Sequence, residues 1–231
     1  MDTVRQGANT VAVDQVRDQV AADNACRATT IAVRELEADD RDRLIAHFLA
    51  LAPDDRLLRF GNTISDAVVE NYVRALDFAA DSIFGVFDDQ LQLLGVGHLA
   101  YLRAQGDKRS AELGVSVLER ARGQGIGSHL FHRAAIRCRN TDVSSLYMHC
   151  LSRNGTMMHI AKKAGMAIQN AHGEADAYLT LPPADQASLS LERRHEQVAA
   201  SDYALKRQTR QAALQMLLAR PAPAAPRPNA A

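Results

Sequence analysis

A glycine-rich turn between a strand pattern and a helix pattern constrains the fold of this chain more than any other feature. Residues 122–127 read Arg-Gly-Gln-Gly-Ile-Gly, after the alternating apolar run 111–118 and before the amphipathic run 128–138. Glycines let the backbone approach a ligand closely, and a helix N-terminus adds unpaired N–H donors and a positive dipole end. The sequence therefore predicts a strand–loop–helix unit that binds an anion such as a pyrophosphate.

Three kinds of phosphate-binding loop can be compared with this turn. A P-loop needs Lys followed by Ser or Thr after its last glycine, whereas Ser128 and His129 stand here. A dinucleotide-binding loop needs a different glycine spacing, although Asp142 lies in the zone of its acidic residue. The third pattern, Arg/Gln-x-x-Gly-x-Gly/Ala, fits residues 122–127 at every position. An ordinary glycine-rich turn with no ligand is the remaining alternative.

With this third pattern the chain resembles the GNAT superfamily of acyl-CoA-dependent N-acyltransferases. In that family the loop and the helix after it hold the pyrophosphate of coenzyme A. The resemblance implies that acetyl-CoA is the acyl donor and that no metal is needed. It also implies a set of cofactor-binding residues in the loop: Arg122, Gly123, Gln124, Gly125, Ile126, Gly127 and Ser128.

The order of predicted elements agrees with this resemblance. Hydrophobic periodicity predicts strands at residues 28–34, 82–87, 91–102, 110–118, 143–150, 166–171 and 175–181. It predicts helices at residues 40–51, 65–76, about 128–139 and 154–164, with Pro53 ending the first helix. The order β α α β β β α β α β β is that of the GNAT family. We therefore expect an α/β (α+β) fold with a mixed, mostly antiparallel central sheet flanked by helices.

Changes in composition divide the chain into four parts. Residues 1–27 are predicted to be a partly disordered N-terminal extension, and residues 28–183 the acetyltransferase domain. Residues 184–220 are charged and helix-prone, and residues 221–231 form an Ala/Pro tail that is predicted to be disordered. The C-terminal helix is expected to pack on the domain or on a second subunit. A homodimer through this helix or through the sheet edge is one expectation.

Charge and composition exclude several other functions. Lys plus Arg and Asp plus Glu both number 27, so the formal net charge of zero gives no basic field for nucleic acid. No apolar run is long enough to cross a membrane, and the N-terminus lacks an apolar signal core. We therefore expect a cytoplasmic protein without nucleic-acid or membrane partners. The three cysteines, odd in number and far apart, argue against disulfides and against a zinc site.

The strand before the loop separates into two faces. Leu113, Val115 and Val117 alternate with Glu112, Gly114 and Ser116. The first set is predicted to face the core and the second set to face a cleft. In the GNAT family the end of this strand separates from the next parallel strand, and its free backbone groups bind the pantetheine arm. By position that role belongs to Val117 and Leu118, and a backbone N–H near Val117 would polarise the thioester carbonyl.

Glu112 is the candidate catalytic base. Acyl transfer needs a neutral amine, whereas a lysine amine has a pKa of about 10.4. A carboxylate in the cleft can accept the proton directly or through water. Some GNAT members carry a glutamate at this place, in a context like Ala111-Glu112. The alternatives are an exposed strand carboxylate, or one that attracts the substrate ammonium by charge alone.

The helix at residues 154–164 carries a second region similar to the family. Asn154 is predicted to cap the helix, and the resemblance gives it a hydrogen bond to the cofactor arm. Ala161 stands where the family often has a tyrosine that protonates the leaving thiolate. The general acid is therefore open, with Tyr147, His159 and water as candidates.

Two further features concern the acceptor side. Residues 51–60 resemble a loop of a bacterial GNAT subgroup that includes the acyltransferase module of some protein lysine acetyltransferases. Arg56 and Arg59 would then line the acceptor cleft, unless Asp54 and Asp55 pair with them in an ordinary loop. His98, on a predicted central strand, either faces this cleft or is a structural histidine.

These observations predict an N-acetyltransferase that moves an acetyl group from acetyl-CoA to a primary amine by direct attack in a ternary complex. The acceptor, a small-molecule amine or a protein lysine, is not readable from the sequence. One alternative is a catalytically weak GNAT domain that binds acyl-CoA as a sensor or interaction module. Another is an α/β protein that binds a different nucleotide.

Overall fold

A seven-stranded mixed sheet forms the centre of the protein. The computed structural model describes residues 31–102 and 109–218. The strands are β1 (Arg34–Glu35), β2 (Ser82–Phe87), β3 (Leu93–Tyr101), β4 (Ser110–Val117), β5 (Ser145–Leu151), β6 (Ala167–Ala171) and β7 (Glu174–Thr180). Their spatial order is β1-β2-β3-β4-β5-β7-β6. Only the β4–β5 pair is parallel, so the predicted mixed, mostly antiparallel sheet is confirmed.

In the part of the chain that the structure describes, six helices pack on this sheet or on one another. They are α1 (Arg41–Leu49), α2 (Pro53–Phe60), α3 (Asp66–Ala75), α4 (Ile126–Asn140), α5 (Gly155–Lys163) and α6 (Gln186–Leu218). Short 3-10 turns occupy Ala38–Asp40 and Glu119–Ala121. Helix α1 packs on β3, whereas α4 packs on β2, β3 and β4.

Helices α1 and α4 lie on opposite faces of the sheet. On β4, Ser116 contacts His47 of α1, at 2.8 Å between the hydroxyl and Nε2. The odd-numbered residues of β4, such as Leu113, face α4 instead. A Cβ built at Gly97 of the adjacent strand β3 would contact both Leu113 and Leu130 of α4, so these two side chains lie on the same face of the sheet. The predicted alternation of the two faces of β4 is therefore confirmed, but the predicted core and cleft sets are only partly right, because Ser116 is buried whereas Val115 and Val117 are half-buried. Even-numbered side chains of β4 therefore meet α1 and α2, and odd-numbered side chains meet α4.

Two predictions about the early part of the chain are wrong. The observed first strand is Arg34–Glu35, so among the described residues of the predicted range 28–34 it contains only Arg34, and residues 28–30 lie outside the described part. Pro53 does not simply end a helix, because residues Pro53–Phe60 form a helix of their own instead of a loop. Proline suits the first position of a helix, where its missing N–H would have no partner. Three helices, not two, therefore connect β1 to β2.

The core lies between the early helices and one face of the sheet. Leu44 and Phe48 of α1 and Val69 and Val73 of α3 are fully buried. Their helical spacing places them on inward faces, and burial of each such side chain contributes roughly 1.5–3 kcal/mol to stability. This core holds α1 and α3 against β3, and α2 lies between them in sequence and reaches β4.

The C-terminal helix packs on its own domain through buried charges. Arg133 of α4 is 1% exposed and donates to Glu192 of α6 at 2.6 Å. The Arg133 guanidinium also lies 4.9 Å from the centre of the Phe84 ring. Farther along α6, the rings of Tyr203 and Phe87 are 5.0 Å apart. The first half of α6 is thus part of the folded unit that begins at β1.

Several expectations concern segments or features that the structure describes only in part. The predicted extension 1–27 and tail 221–231 lie outside the described residues, as does Cys26. Cys138 and Cys150 are free and buried. None of the described helices is long and apolar enough to cross a membrane. Within residues 31–102 and 109–218, no group of three or more His, Cys, Asp or Glu is placed to hold a metal ion.

Candidate active site

Strands β4 and β5 separate and leave a backbone edge open. Their parallel pairing covers only residues 110–112 against 145–147. Strand β4 continues to Val117 and remains paired with β3 on its other side. From residue 113 onward, the edge of β4 that faces β5 therefore has no strand partner among the described residues.

The hydrogen-bond alternation shows which backbone groups point into this gap. The N–H of Leu118 donates to the carbonyl of Leu94 on β3 at 2.8 Å, so even-numbered residues of β4 bond toward β3. The carbonyl of Arg109, with odd number, accepts from Ser144 before β5 at 2.9 Å. The N–H and C=O groups of Val115 and Val117 consequently point into the gap. These groups can pair with an amide-containing ligand as an added strand would.

A cavity of about 470 Å³ occupies the gap. It is bounded by α2, the end of β4, the glycine-rich loop and α5. The sequence-predicted residues that line it are Val117, Arg122, Gly123, Gly125, Ile126, Gly127, Ser128 and Asn154. Those that do not line it are Glu112, Leu118 and Gln124. Leu118 also has both backbone groups occupied, since its carbonyl accepts from Ala121 at 2.9 Å.

The loop presents unpaired amides at one end of the cavity. Gly123 and Gly125 have φ angles of 75° and 85°, in the region that L side chains rarely adopt. The first hydrogen bond of α4 runs from the His129 N–H to the Gly125 carbonyl at 3.1 Å. The N–H groups of Ile126, Gly127 and Ser128 therefore lack helical partners. These free donors and the positive end of the helix dipole, at the cavity wall, are the features that favour anion binding.

Helix α5 closes the other side of the cavity. The Oδ1 of Asn154 accepts from the Met157 N–H at 3.2 Å, which confirms the predicted cap. A Cβ at Gly127 would lie 3.0 Å from Ile160 Cδ1, so this glycine allows α4 and α5 to approach closely. Ala161 is 1% exposed and belongs to the core.

Two candidate general acids from the sequence lie in different places. His159 is exposed and lines the cavity. The hydroxyl of Tyr147 donates to Asp176 at 2.7 Å, outside the cavity lining. Burial and the Asp176 carboxylate raise the pKa of Tyr147, so its hydroxyl stays protonated. Of the two, only His159 is placed to meet a group bound in the cavity.

Charged side chains from α2 and α5 add to the site, and sequence reasoning missed two of them. Asp55 and Lys163 both line the cavity. Asp55 forms an ion pair with Arg122 of the loop, whereas Arg56 pairs with Asp66 at 2.6 Å. The alternative in which Asp54 and Asp55 pair with the arginines of α2 is therefore wrong. Nothing in the local sequence indicates that α2 would reach the loop.

His47 and Ser116 form a buried pair beside the cavity. His47 Nδ1 is 3.0 Å from the Leu93 carbonyl, so Nδ1 carries the proton and Nε2 accepts from the Ser116 hydroxyl. Burial lowers the pKa of His47 to about 4, which keeps the imidazole neutral near pH 7. The pair fixes the end of β4 to α1 and directs the Ser116 hydroxyl toward His47.

Both the sequence and the fold of this chain are similar to those of acetyltransferases. The sequence profile of a family described as "Acetyltransferase (GNAT) domain" matches residues 30–167. No curated protein sequence matches the chain. Many solved structures are similar, beginning with the GNAT domain of S. lividans PAT, at TM-score 0.56 and 18% identity over 64% of this chain and 89% of that one.

Two other similar structures illustrate the range of activities on this fold. A ribosomal-protein-alanine N-acetyltransferase from Brucella melitensis has a TM-score of 0.51 and 17% identity, over 64% of this chain and 99% of that one. An acetyltransferase from Salmonella typhimurium, with its cofactor acetyl-CoA, has a TM-score of 0.51 and 12% identity, over 66% and 95%. At these identities the likeness shows the fold alone.

Proposed function

This chain belongs to the GNAT acetyltransferase family, and we propose that it transfers an acetyl group from acetyl-CoA to a primary amine by direct attack in a ternary complex. The family membership makes it an acyltransferase. One observation carries the finer proposal: the open edge of β4 runs directly into a loop of unpaired amides. An elongated donor with an anionic end and an amide-containing arm matches this arrangement.

The donor-binding residues divide by chemistry. The amides of residues 126–128, with Arg122 and Lys163 nearby, would hold the pyrophosphate. The gap-facing groups of Val115 and Val117 would pair with the pantetheine amides, and the side-chain NH₂ of Asn154 is available to the same arm. A gap-facing N–H on β4 near Val117 would polarise the thioester carbonyl. Leu118 is not part of this proposal, because its backbone groups are already bonded.

The transfer itself forms a C–N bond and breaks the C–S bond of the thioester. The attacking amine must lose a proton, and we assign that proton to Glu112. Glu112 is half-buried and lies two residues before Gly114, on the face of β4 that Arg59 of α2 covers. Since it does not line the cavity, it accepts the proton from an amine that extends toward it or through one water. The thiolate leaves and takes a proton from water or from His159.

Glu112→Gln is expected to lower kcat for acetyl transfer about 100-fold, since general-base catalysis contributes on the order of 10²–10⁴. The amide keeps the size of the side chain but cannot accept the proton. Free thiol release from acetyl-CoA, measured over a panel of amines, reports kcat. Acetyl-CoA affinity by calorimetry should stay the same. Glu119→Gln, an exposed glutamate just past β4, is the matched control. Unchanged turnover of Glu112→Gln at saturating amine would remove Glu112 as the base.

Asp55→Asn is expected to tighten acetyl-CoA binding by about 3- to 10-fold. Asp55 pairs with Arg122 and places a carboxylate on the wall that would receive the pyrophosphate. Removing that charge frees Arg122 and relieves a like-charge contact. Calorimetric titration of acetyl-CoA measures the change, and Asp54→Asn, one residue away and outside the cavity lining, is the control. Equal or weaker binding by Asp55→Asn would contradict this role.

A second function is favoured by one observation. Ala161, at the tyrosine position of the family, is buried in the core and brings no hydroxyl to the cavity. A domain that binds acyl-CoA as a sensor or interaction module would fit this loss. Tight acetyl-CoA binding, without acetylation of any amine in the panel and without thioester hydrolysis, would favour it over the enzyme.

A further inference from the structure

The Arg59 guanidinium lies at the wall of the cavity, next to β4, and makes one side-chain hydrogen bond within the described residues. Arg59 lines the cavity and donates from Nη2 to the Tyr72 hydroxyl at 3.0 Å. Its Nε is buried without a hydrogen-bond partner. A guanidinium has five N–H donors. Among the described residues no carboxylate lies within 4.0 Å of Arg59, so its charge lacks a counter-ion there.

Aromatic rings surround Arg59 on the side away from the cavity. Its Cζ lies 5.0 Å from the centre of the Phe60 ring, 5.8 Å from that of Tyr72 and 5.9 Å from that of Phe48. Rings stabilise a cation but do not accept its N–H groups in the plane of the guanidinium. Because Nε is buried, an acceptor in the cavity would meet the terminal Nη1 and Nη2 groups of Arg59.

The glycine at position 114 makes room for this guanidinium. A Cβ built on Gly114 would lie 2.6 Å from both Cζ and Nη2 of Arg59. The guanidinium therefore lies flat on the backbone of β4. Gly114 is explained by this close approach, because any side chain would displace the cation.

A hydrogen-bonded chain holds Arg59 in this place. The Tyr72 hydroxyl is 2.8 Å from His98 Nδ1, and His98 Nε2 is 2.9 Å from the Asp81 carboxylate. Nε2 must donate to Asp81, so Nδ1 accepts from Tyr72, and the Tyr72 oxygen is free to accept from Arg59. Burial lowers the pKa of His98, which keeps it neutral and preserves this direction of donation. His98 is thus a positioning residue on the acceptor side.

Arg59 and Glu112 offer opposite charges on one face of β4. Glu112 and Gly114 are two residues apart, about 7 Å along a strand, and their side-chain positions share a face. Glu112 has no hydrogen bond or ion pair within the described residues. The Arg59 guanidinium over Gly114 can bind a carboxylate, and the free Glu112 carboxylate two residues away can attract an ammonium group. Together they suit a zwitterion whose ammonium and carboxylate are separated by one carbon.

We infer that the acetyl acceptor is an α-amino acid whose carboxylate binds Arg59 while its amine lies toward Glu112. This inference rests on the proposed acetyl transfer. The carboxylate belongs to the acceptor rather than to the acyl group because Arg59 approaches β4 from the side of α1 and α2. The loop leads into α4, which lies on the opposite face. Arg59 therefore lies on the face of β4 that also carries Glu112, and not on the face that α4 covers.

Acetylation of the twenty proteinogenic L-amino acids, each compared with its α-amide, tests the inference. At least one amino acid should exceed its amide about 10-fold or more in kcat/KM. Arg59→Gln should lower kcat/KM for the acid about 10- to 100-fold and for the amide less than about 3-fold, the range for a lost charged hydrogen bond. Comparison between variants cancels the different amine pKa values of acid and amide.

Gly114→Ala gives an independent variant that keeps the arginine but displaces its guanidinium. It should shift the acid-to-amide ratio in the same direction as Arg59→Gln. Gly97→Ala is the matched control, because its Cβ would meet only ordinary contacts of 3.6–3.7 Å on the α4 side of β3. Equal use of acids and amides, or an Arg59→Gln variant that loses both alike, would overturn the inference. So would an Arg59-dependent preference for succinyl-CoA over acetyl-CoA.

Binding separates this inference from the proposed function. The same acids and amides are titrated by calorimetry into protein saturated with coenzyme A. Acid binding that Arg59→Gln abolishes, without acetylation of any amine, would keep an amino-acid site at Arg59 but remove the enzyme proposal and, with it, the role of that amino acid as acetyl acceptor. Acetylation of amides or peptide lysines without preference for acids would keep the enzyme and remove the inference. Neither binding nor transfer would remove both.

Discussion

Gly125→Asp is expected to lower acetyl-CoA affinity by at least about 1,000-fold, the largest effect on ligand binding that we predict. Gly125 has φ 85°, where an L residue costs roughly 1–2 kcal/mol. Its position before Ile126 also puts the new carboxylate beside the amides that would receive the pyrophosphate. Like-charge juxtaposition costs several kcal/mol, and about 4 kcal/mol corresponds to a 1,000-fold change in affinity.

Gly173→Asp is the matched control for this substitution. Gly173 has φ 88° and open space around its Cβ position, in the turn between β6 and β7. It carries the same backbone strain and the same added charge away from the loop, so acetyl-CoA binding should be preserved. Calorimetry with acetyl-CoA, ATP and NAD checks both variants. Wild-type protein that binds ATP or NAD but not acetyl-CoA would show that the loop holds a different nucleotide.

Glu192→Gln is expected to lower the free energy of unfolding by about 3 kcal/mol, the largest effect on stability. The substitution leaves the guanidinium of Arg133, 1% exposed, without its partner at 2.6 Å. Breaking a buried ion pair from one side costs roughly 3–5 kcal/mol. The remaining contact of Arg133 with Glu196 at 3.1 Å places the expected loss at the lower end of that range.

Glu196→Gln provides the control on the same arginine. Glu196 is 46% exposed, and an exposed pair contributes about 0–1 kcal/mol. Urea unfolding of both variants measures the difference, and the double variant Arg133→Met with Glu192→Leu should recover most of the lost stability. Equal small losses for the two glutamates would mean that α6 is not held by the buried pair.

Much of the fold could be read from contiguous residues. Alternation over β4 and helical spacing over α1 and α3 are local patterns, so both the elements and their inward faces were predictable. Helix α2 is not predictable in this way, because a proline after a helical pattern indicates a helix end as well as a first helical position. Within the first strand, the β-branched run was a poorer guide, since only Arg34 and Glu35 pair with β2.

The candidate site was predictable where one segment carries it. Gly123 and Gly125 need positive φ, and a helix follows them, so the anion loop is visible in the sequence. Leu118 shows the limit of such reading. Its position beside Val117 suggested a free backbone, yet the register of β3 and β4 gives its N–H to Leu94. Whether the odd- or the even-numbered residues of β4 bond to β3 depends on how the two strands pair. The sequence of β4 alone does not contain this information.

The sequence by itself determined the family, the order of the strands and the position of the glycine-rich loop before a helix. Only the tertiary structure decided that Arg59 lies on Gly114, that Asp55 pairs with Arg122, and that Arg133 pairs with Glu192, 59 residues away. Local patterns follow from backbone geometry within a few residues, and the sequence states them directly. Contacts between distant side chains depend on how helices and strands pack, and a charged residue on one helix is compatible with many partners until that packing selects one.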